Sequence, residues 1–234
     1  MQHLFAEGVV LVSDADALDA QCRQVLHRFF GFVGVAGTQV ENVARAGDYR
    51  TLQRGWADTA ALQGAVIAGA RNVFAIDPVE WKREQAMKFG ATQAFASVEE
   101  AMNEIGNATE WGMCQKVVVT VGEVHGADVD TWMSLTAKGG TCVLTGMGNM
   151  MDTQVTLNLA MLTLLQKNLQ GTIFGGANPK LDIPLLLTMY KAGKLNIADM
   201  ITREYRLDQI NDGYTDMLEG RNIRGVIRYT EEDW

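Results

Sequence analysis

The chain has 234 residues, a net charge of −8 at pH 7 and 47% hydrophobic residues, with a mean hydropathy of −0.02. These values are typical of a soluble globular protein that buries a sizeable core in one or two domains. The basic residues are scattered, which excludes a nucleic-acid footprint, and no apolar run approaches the roughly 20 residues that cross a bilayer. Because the first residues also lack the features of a secretory signal, we predict a cytoplasmic protein.

The first 60 residues contain no proline and show only weak periodicity. Residues 14–30 fit an amphipathic helix, and Gly31, Gly34 and Gly37 follow at intervals of three. This glycine run differs from G-x-G-x-x-G in its first spacing, and no clear helix pattern follows it, so it is a weak match to a phosphate loop. We treat residues 1–60 as a divergent N-terminal region, and the sequence leaves open whether they fold.

From Thr59 onward, helix and strand patterns alternate regularly. The predicted helices cover residues 59–70, 77–90, 98–105 and 128–137, and the predicted strands cover residues 73–76, 93–96, 116–121 and 141–145. Such alternation indicates right-handed crossovers and a parallel sheet with helices on both faces. We therefore predict an α/β fold, with a Rossmann-like doubly wound domain over residues 61–173.

One acidic residue, Asp77, stands where the apolar run at 73–76 ends and a helix pattern begins. Asp77 fits the N-cap of that helix, with Pro78 in the first turn and Glu80 at the capping-box spacing. An acid at this position of a doubly wound sheet can also accept hydrogen bonds from the ribose hydroxyls of NAD. Caps are the commoner role, and spacing alone leaves both interpretations open.

Beyond about residue 150, the chain continues the mixture of helices and strands. We predict strands at residues 155–157 and 169–174 around a helix at 158–167, a helix that begins near Pro179 and Pro184 and reaches Ala192, a helix at 208–218 and a strand at 223–229. In the last strand, Arg224 and Arg228 alternate with apolar residues and share one face. One of them could bind a pyrophosphate, and the alternative is a solvated charged face.

No metal-binding or catalytic constellation is visible in the sequence. The three cysteines, Cys22, Cys114 and Cys142, lie far apart, whereas zinc ligands usually come in close pairs, and the histidines match no metal-binding pattern. Cys142 lies in an apolar run, and we expect it to be a buried small side chain. Glycines follow several predicted strands, where they would let a ligand approach the backbone. The residues alone thus indicate a nucleotide-binding α/β domain.

Four stretches, at residues 69–84, 136–148, 164–179 and 222–229, closely resemble the zinc-type medium-chain alcohol dehydrogenases. The nearest branch is similar to the bacterial enzymes that are assayed with N,N-dimethyl-4-nitrosoaniline and hold their nicotinamide cofactor tightly. The resemblance runs from about Ala60 to the C-terminus. It implies an oxidoreductase that transfers a hydride between a small alcohol or aldehyde and NAD(P), with NAD favoured over NADP only as a tendency by the acid at Asp77. It also places residues 174–234 in the family's catalytic domain.

The resemblance also implies a set of cofactor-binding residues. Asp77 and Lys82 match the family's ribose-binding acid and its flanking lysine, and Arg224 matches an arginine that binds the pyrophosphate. The remaining positions match residues near the adenine and along the nicotinamide: Val121, Gly122, Thr145, Gly146, Met147, Thr172, Ile173 and Phe174. No catalytic residue is carried over, and the possibility of a homo-oligomer stays open.

Two family features are missing from the sequence. Neither the ligands of the catalytic zinc nor the four-cysteine zinc lobe occurs, and the glycine fingerprint expected before Ala60 is replaced by an unrelated stretch. We therefore predict no zinc ligands in this chain, weak or absent NAD binding, and a truncated or frame-disrupted family member that is inactive alone. The alternative is a nucleotide-binding module, or a relic, that performs no chemistry.

Overall fold

The structure, a computed structural model, describes residues 9–13, 56–173 and 176–229. The sequence-predicted helix at 14–30, the glycine run from Gly31 to Gly37 and the predicted cofactor-binding residue Phe174 lie outside these residues. Within the described part of the chain, no helix is long and apolar enough to cross a membrane.

Eight strands and seven α-helices are formed by the described residues. The strands are β1 (Val9–Ser13), β2 (Asn72–Ile76), β3 (Gln93–Phe95), β4 (Cys114–Val119), β5 (Thr136–Leu144), β6 (Asn168–Gly171), β7 (Ile201–Tyr205) and β8 (Arg224–Ile227). The helices are α1 (Trp56–Ile67), α2 (Glu80–Lys88), α3 (Val98–Ala108), α4 (Val129–Ser134), α5 (Leu159–Leu164), α6 (Pro179–Lys191) and α7 (Ile210–Leu218). The α/β character predicted from the sequence is confirmed.

Six strands form one sheet in the order β3-β2-β1-β4-β5-β6. This is the strand order of a dinucleotide-binding doubly wound sheet. The pairs β2–β3, β4–β5 and β5–β6 are parallel. A separate parallel pair, β7–β8, lies in the C-terminal part of the chain.

The central strand, β1, runs against both of its neighbours. Val9, at its start, is paired with Ile76 and Val119, the last residues of β2 and β4. Ser13, at its end, is paired with Asn72, where β2 begins. No strand was predicted here, although the short apolar run at residues 9–12 is rich in β-branched residues and was available as a signal. The strand at the first position of this strand order therefore runs antiparallel to both of its neighbours.

Buried side chains pack on both faces of the sheet. On one face, β2 and β4 contribute Phe74, Ile76, Val117 and Val119, which pack with helices α3 and α4. On the other face, Val73, Ala75 and Val118 pack with α1, α2 and apolar residues of the C-terminal part, among them Leu186 and Ile223. Burial on both faces explains why these strands are continuously apolar in sequence. The proposed domain boundary at residue 174 remains a prediction.

The helix after β2 begins later than predicted. Asp77 does not cap it, because its Oδ1 accepts a hydrogen bond of 2.8 Å from the Val79 amide, two residues on. This local bond leaves Val79 extended (φ −83°, ψ 114°), and α2 starts at Glu80. The capping box between Asp77 and Glu80 is therefore wrong. The cap predicted for the next helix is confirmed, since the Ser97 side chain accepts from the Glu100 amide.

Three further predictions need correction. The helix predicted at 128–137 is shorter, because the chain from Thr136 already pairs with β4, and Gly139 and Gly140 lie inside β5 instead of forming an exit turn. Residues 155–157 form no strand; the Thr156 amide instead donates to the carbonyl of Gly126 in a neighbouring loop. Pro179 does occupy the first turn of α6, but Pro184 lies within that helix.

Candidate cofactor-binding site

Most of the predicted site residues come together at one edge of the sheet. The parallel strands β2, β4, β5 and β6 all end at this edge, and ligands of open α/β sheets bind there. The residues that follow these strand ends are Asp77, then Val121 and Gly122, then Thr145, Gly146 and Met147, and finally Thr172 and Ile173. The structure thus places on one edge residues that are nearly 100 positions apart in sequence.

The carboxylate of Asp77 is the best-defined group at this edge. Its side chain is 8% exposed, and its Oδ2 lies 3.7 Å from the Nζ of Lys82, whose side chain is 6% exposed. Its Oδ1 accepts from the Val79 amide. A buried acid that is held by a backbone amide and a lysine keeps a fixed orientation.

Lys82 is covered by the turn that follows α7. A Cβ atom built on Gly220 would lie 3.4 Å from the Cε of Lys82, so the turn packs directly on the lysine side chain. Gly220 adopts a left-handed conformation (φ 68°), which glycine accommodates without strain. The C-terminal part of the chain therefore packs on the lysine of the Asp77–Lys82 pair.

The loops after β4 and β5 are joined through their backbones. The Val124 amide donates to the carbonyl of Met147 over 3.4 Å, and Glu123 and Met147 form a parallel bridge. A Cβ atom on Gly146 would lie 2.2 Å from the carbonyl oxygen of Val121. Only glycine fits this close approach, and Met147 beyond it is 72% exposed. The backbone from Thr145 to Met147 is thus held at the edge of the sheet, and the side chain of Met147 is open to solvent.

Thr145 and Thr172 continue the hydrogen bonding of the sheet past the strand ends. The Thr145 amide and hydroxyl both donate to the carbonyl of Val119, and the Thr172 amide donates to the carbonyl of Leu144. Ile173 is 75% exposed. The backbone of Thr145 is therefore anchored by β4 and that of Thr172 by β5, whereas the side chain of Ile173 is open to solvent.

Arg224 lies in β8, outside the main sheet, and its side chain is half-buried. Burial lowers the pKa of its guanidinium to about 10, so it stays charged at neutral pH. Arg228 forms an exposed ion pair of 2.7 Å with Glu204. Arg228 follows the last residue of β8, so Arg224 is the arginine within this strand, and its charge is partly dehydrated.

A polar cluster around Asp216 fixes the strand that carries Arg224. Asp216 accepts hydrogen bonds from Arg203 (2.6 Å), from Arg221 (2.8 Å) and from the hydroxyl of Tyr205 (2.7 Å). The Tyr205 oxygen in turn accepts from the side chain of Asn222, two residues before Arg224. Sequence reasoning missed this cluster, because its members come from β7, α7 and the turn before β8.

A second group that sequence reasoning missed is Arg83, in the first turn of α2. Its Nη1 donates to the backbone carbonyls of Asp77 (2.8 Å) and Pro78 (2.9 Å). The one available signal was a second basic residue directly after Lys82. Nothing in the spacing showed that this side chain turns back onto the strand end.

The described residues offer no metal site. No group of three or more His, Cys, Asp or Glu side chains among them is arranged to hold a metal ion. Cys114 and Cys142 are buried free thiols, and burial raises the pKa of each to about 12. The donors in this part of the chain therefore do not fit a catalytic zinc.

Comparison with known proteins places these features in a family. Residues 59–192 match the sequence profile of the zinc-binding dehydrogenases. Alcohol dehydrogenase B of Mycobacterium tuberculosis (strain ATCC 25618 / H37Rv) is 61% identical over 198 residues, which are 85% of this chain and 53% of that protein. The NDMA-dependent alcohol dehydrogenase of Amycolatopsis methanolica is 44% identical over 173 residues, which are 74% of this chain and 46% of that protein. The chain spans about half the length of these curated relatives.

Solved structures show the same fold at low sequence identity. Benzyl alcohol dehydrogenase from Acinetobacter calcoaceticus aligns with a TM-score of 0.69 and 21% identity, over 94% of this chain and 59% of that one. An alcohol dehydrogenase from Thermus sp. ATN1 aligns with a TM-score of 0.65 and 18% identity, over 87% and 58% of the two chains. Since the family profile covers more than half of its residues, the chain belongs to the zinc-binding dehydrogenase family.

Proposed function

We propose that this chain binds NAD and forms the coenzyme-binding part of an alcohol dehydrogenase, which transfers a hydride between a small alcohol or aldehyde and the nicotinamide. The observation that carries the proposal is the buried Asp77–Lys82 pair at the carboxyl end of β2. Family membership supports the same function, since relatives that share 61% and 44% of the aligned residues bear alcohol dehydrogenase names.

Each element of the site has a proposed role. The Asp77 carboxylate, which Val79 and Lys82 hold in place, accepts hydrogen bonds from the adenosine ribose hydroxyls. Arg224 binds the pyrophosphate, since a guanidinium matches two phosphate oxygens at once. The backbone from Thr145 to Met147 faces the nicotinamide carboxamide. Val121, Gly122, Thr172 and Ile173 line the same edge.

The substrate chemistry is assigned only as far as the described residues allow. In this family, zinc acts on the substrate oxygen as a Lewis acid, which stabilises charge during hydride transfer. The described residues contain no group of side chains that could hold zinc. We therefore assign them coenzyme binding and orientation, and we assign them no step on the substrate. A cytoplasmic location stays a prediction from the sequence.

A second candidate function, a nucleotide-binding module without chemistry, is favoured by the direction of β1. In a dinucleotide-binding sheet, the first strand leads at its carboxyl end into the glycine loop that cradles the phosphates. Here β1 ends at Ser13, beside the start of β2, so its carboxyl end lies at the opposite edge of the sheet from the carboxyl ends of β2 and β4. We expect this arrangement to weaken phosphate binding while the ribose contacts remain.

Titration of the purified chain with NADH, followed by nicotinamide fluorescence, tests both candidates. We expect saturable binding that is weakened about tenfold or more in Asp77→Ala, which removes a charged acceptor of ribose hydrogen bonds. Asp208→Ala is the matched control, because Asp208 is an exposed acid whose ion pair with Arg206, across 3.5 Å, is also exposed. Turnover of a primary alcohol with NAD favours the dehydrogenase, binding alone favours the module, and no binding refutes both.

Self-association is a further part of the proposal. All four residues of β6, the last strand of the sheet, are exposed, and exposed apolar residues flank it, including Leu164 at 70% and Ile173 at 75%. An open sheet edge of this kind favours pairing with a second copy about a two-fold axis. Light scattering should show a dimer that Leu169→Lys on this edge converts to a monomer; an unchanged mass for this variant would exclude β6 as the interface.

A further inference from the structure

An exposed tryptophan, Trp111, stands on a strained turn directly after helix α3. Its side chain is 62% exposed. Three of the four non-glycine residues with a positive φ in the described part of the chain lie in this turn: Glu110 (51°), Trp111 (62°) and Met113 (61°). Non-glycine residues rarely adopt this conformation, and backbone strain of this kind concentrates at binding and switch segments. The turn therefore presents a large apolar ring to solvent in an uncommon conformation.

The orientation of Trp111 is fixed by the end of α3. Its amide donates to the Gly106 carbonyl over 2.6 Å, and the Met113 amide donates to the Thr109 hydroxyl over 2.9 Å. A Cβ atom on Gly106 would lie 2.7 Å from the six-membered ring of Trp111, so the ring rests directly on this glycine. Because the ring is already held, a partner that packs on its open side has few additional torsions to order.

A groove of about 440 Å³ lies between α3 and α4, next to this ring. Met102 and Asn103 line it on α3, and Ser134 lines it on α4. Met102 and Asn103 stand one helical turn before Gly106, so they share the helix face on which Trp111 rests. Met102 is half-buried against the core and gives the groove an apolar floor. The exposed ring and the groove therefore form one continuous surface.

This surface is negatively charged. Glu99 on α3 and Asp130 on α4 line the groove, and its described lining contains no basic residue. Lys167 is close enough to Asp130 for a charge interaction, but its Nζ donates to the carbonyl of Met133 over 2.7 Å. Glu110 is exposed beside the ring, and the last carbonyls of α3 add partial negative charge. An exposed indole ring with acids around it favours a cation over its face.

We propose that Trp111 and the groove between α3 and α4 form a docking surface for a basic segment of a partner protein. An arginine of the partner stacks on Trp111, an apolar side chain lies on Met102, and further basic side chains pair with Glu99 and Asp130. Arginine fits better than lysine, because its planar group also stacks on the ring. The turn precedes β4, at the amino end of that strand, so this surface is separate from the proposed coenzyme site at the carboxyl ends.

The test measures how fluorescein-labelled peptides bind to the full chain, by fluorescence anisotropy. The probe is a peptide that repeats Arg-Leu-Ala. Two comparison peptides carry citrulline or glutamate in place of each arginine; citrulline keeps the planar group and loses the charge. A salt concentration of about 0.15 M screens attraction between distant charges, so the measurement reports contacts at the surface itself.

The largest change is expected from the ring. Trp111→Leu should raise the dissociation constant of the arginine peptide about tenfold or more, because leucine covers Gly106 without an aromatic face. Trp111→Phe keeps a ring and should raise it only about threefold. Tyr190→Ala is the matched control, since it removes an exposed aromatic side chain from α6, and it should change the dissociation constant by less than about twofold.

The acids provide an independent variant. Glu99→Gln with Asp130→Asn should raise the dissociation constant about fivefold or more, because both charges that face the partner are removed. Asparagine keeps an oxygen that can accept from the Asn158 amide, as Asp130 does, so the local fold is retained. The control is Glu84→Gln with Glu104→Gln, which removes the same charge from exposed positions on α2 and on another side of α3. It should change the dissociation constant by less than about twofold.

Each other outcome overturns the inference. Equal affinity of the arginine peptide for the wild type and for a folded Trp111→Leu would exclude the ring; if circular dichroism shows that this variant is unfolded, the acid variant decides. Equal binding of the citrulline peptide would indicate an apolar partner, and tighter binding of the glutamate peptide an acidic one. A lower mass of Trp111→Leu in light scattering would show that a second copy covers the ring. Weaker NADH binding by Trp111→Leu would contradict a separate surface.

Discussion

The neighbouring strands β2 and β1, at the proposed coenzyme site, differ in the contacts that fix their positions. The end of β2 is organised by neighbours in sequence: Asp77 is held by Val79, Lys82 and Arg83, all within six residues. The neighbouring strand β1 is instead positioned by ladder pairing with β2 and β4, which lie far away in sequence, and it runs in the reverse direction. The ribose half of a dinucleotide site is therefore a local structure, whereas its phosphate half depends on the direction of a strand.

The largest expected effect comes from breaking β1. Leu11 lies in the middle of this strand, paired with Phe74 on one side and Val117 on the other. Leu11→Pro removes a ladder donor in a central strand and should lower the free energy of unfolding by about 3 kcal/mol or more. Chemical denaturation followed by circular dichroism measures this loss.

The control for this variant is a proline in an exposed loop. Thr153→Pro lies in the segment between β5 and α5, where the residue has no regular secondary structure. It should change stability by less than about 0.5 kcal/mol. Equal stability of the Leu11→Pro and Thr153→Pro variants would show that β1 does not stabilise the folded sheet. This result would contradict the dependence of the phosphate half of the site on β1.

The next effect concerns the loops beyond β4 and β5. A Cβ atom at Gly146 would lie 2.2 Å from the Val121 carbonyl, so Gly146→Ala should shift both loops and cost about 2–3 kcal/mol. Gly171→Ala, at the end of β6, is the matched variant, because a Cβ atom there meets nothing within 4 Å. Thermal denaturation of both proteins should reveal a lower midpoint for the first alone; identical midpoints would contradict the close approach of the loops.

A smaller effect is expected from the cluster that holds β8. Asp216→Ala leaves the Tyr205 hydroxyl and two half-exposed arginines without their common acceptor, and it should cost about 2 kcal/mol. Asp212→Ala, an exposed acid on the same helix, should cost less than about 0.5 kcal/mol. If Arg224 binds the pyrophosphate, Asp216→Ala should also weaken NADH binding, and unchanged affinity would separate the cluster from the site.

The same cluster predicts a modest acid dependence of stability. The Tyr205 hydroxyl, followed by Arg221 and Arg203, holds the pKa of Asp216 below its ordinary value, although burial opposes them. The folded chain therefore binds this proton less readily than the unfolded chain, so the stabilisation is complete above about pH 4 and is lost as the pH falls through the lower folded pKa. Denaturation experiments between pH 6 and pH 2 should show that the free energies of unfolding of the wild type and of Asp216→Asn approach each other as the pH falls. A constant difference across this range would show that Asp216 does not cause the acid dependence.

Sequence analysis predicted the parts of the fold that short-range patterns determine. Val73–Ile76 and the valines of β4 are buried on both faces, and this produces the continuous apolar runs that identify such strands. The first residues of β5 were assigned to a helix, because pairing between Thr136 and Cys114 has no local signature. The direction of β1 was equally hidden, since an isolated apolar run carries no information about which way it will pair.

The candidate site divides in the same way. The positions of Asp77 and Gly146 just past strand ends could be predicted, because both follow directly from strand boundaries. The burial of Lys82 under Gly220 could not, since the two residues are far apart in sequence. The contacts of Arg83 were also missed, because a side chain that turns back onto backbone carbonyls leaves no residue pattern.

Hydrogen–deuterium exchange with and without NADH tests the central claim most directly, because it reports where the coenzyme binds. We predict that NADH slows exchange of the amides from Asp77 to Arg83 and from Thr145 to Met147, and that Asp77→Ala abolishes the protection of the first segment. Protection confined to other parts of the chain, or no protection at saturating NADH, would contradict the assignment of the β2 end as the ribose-binding site.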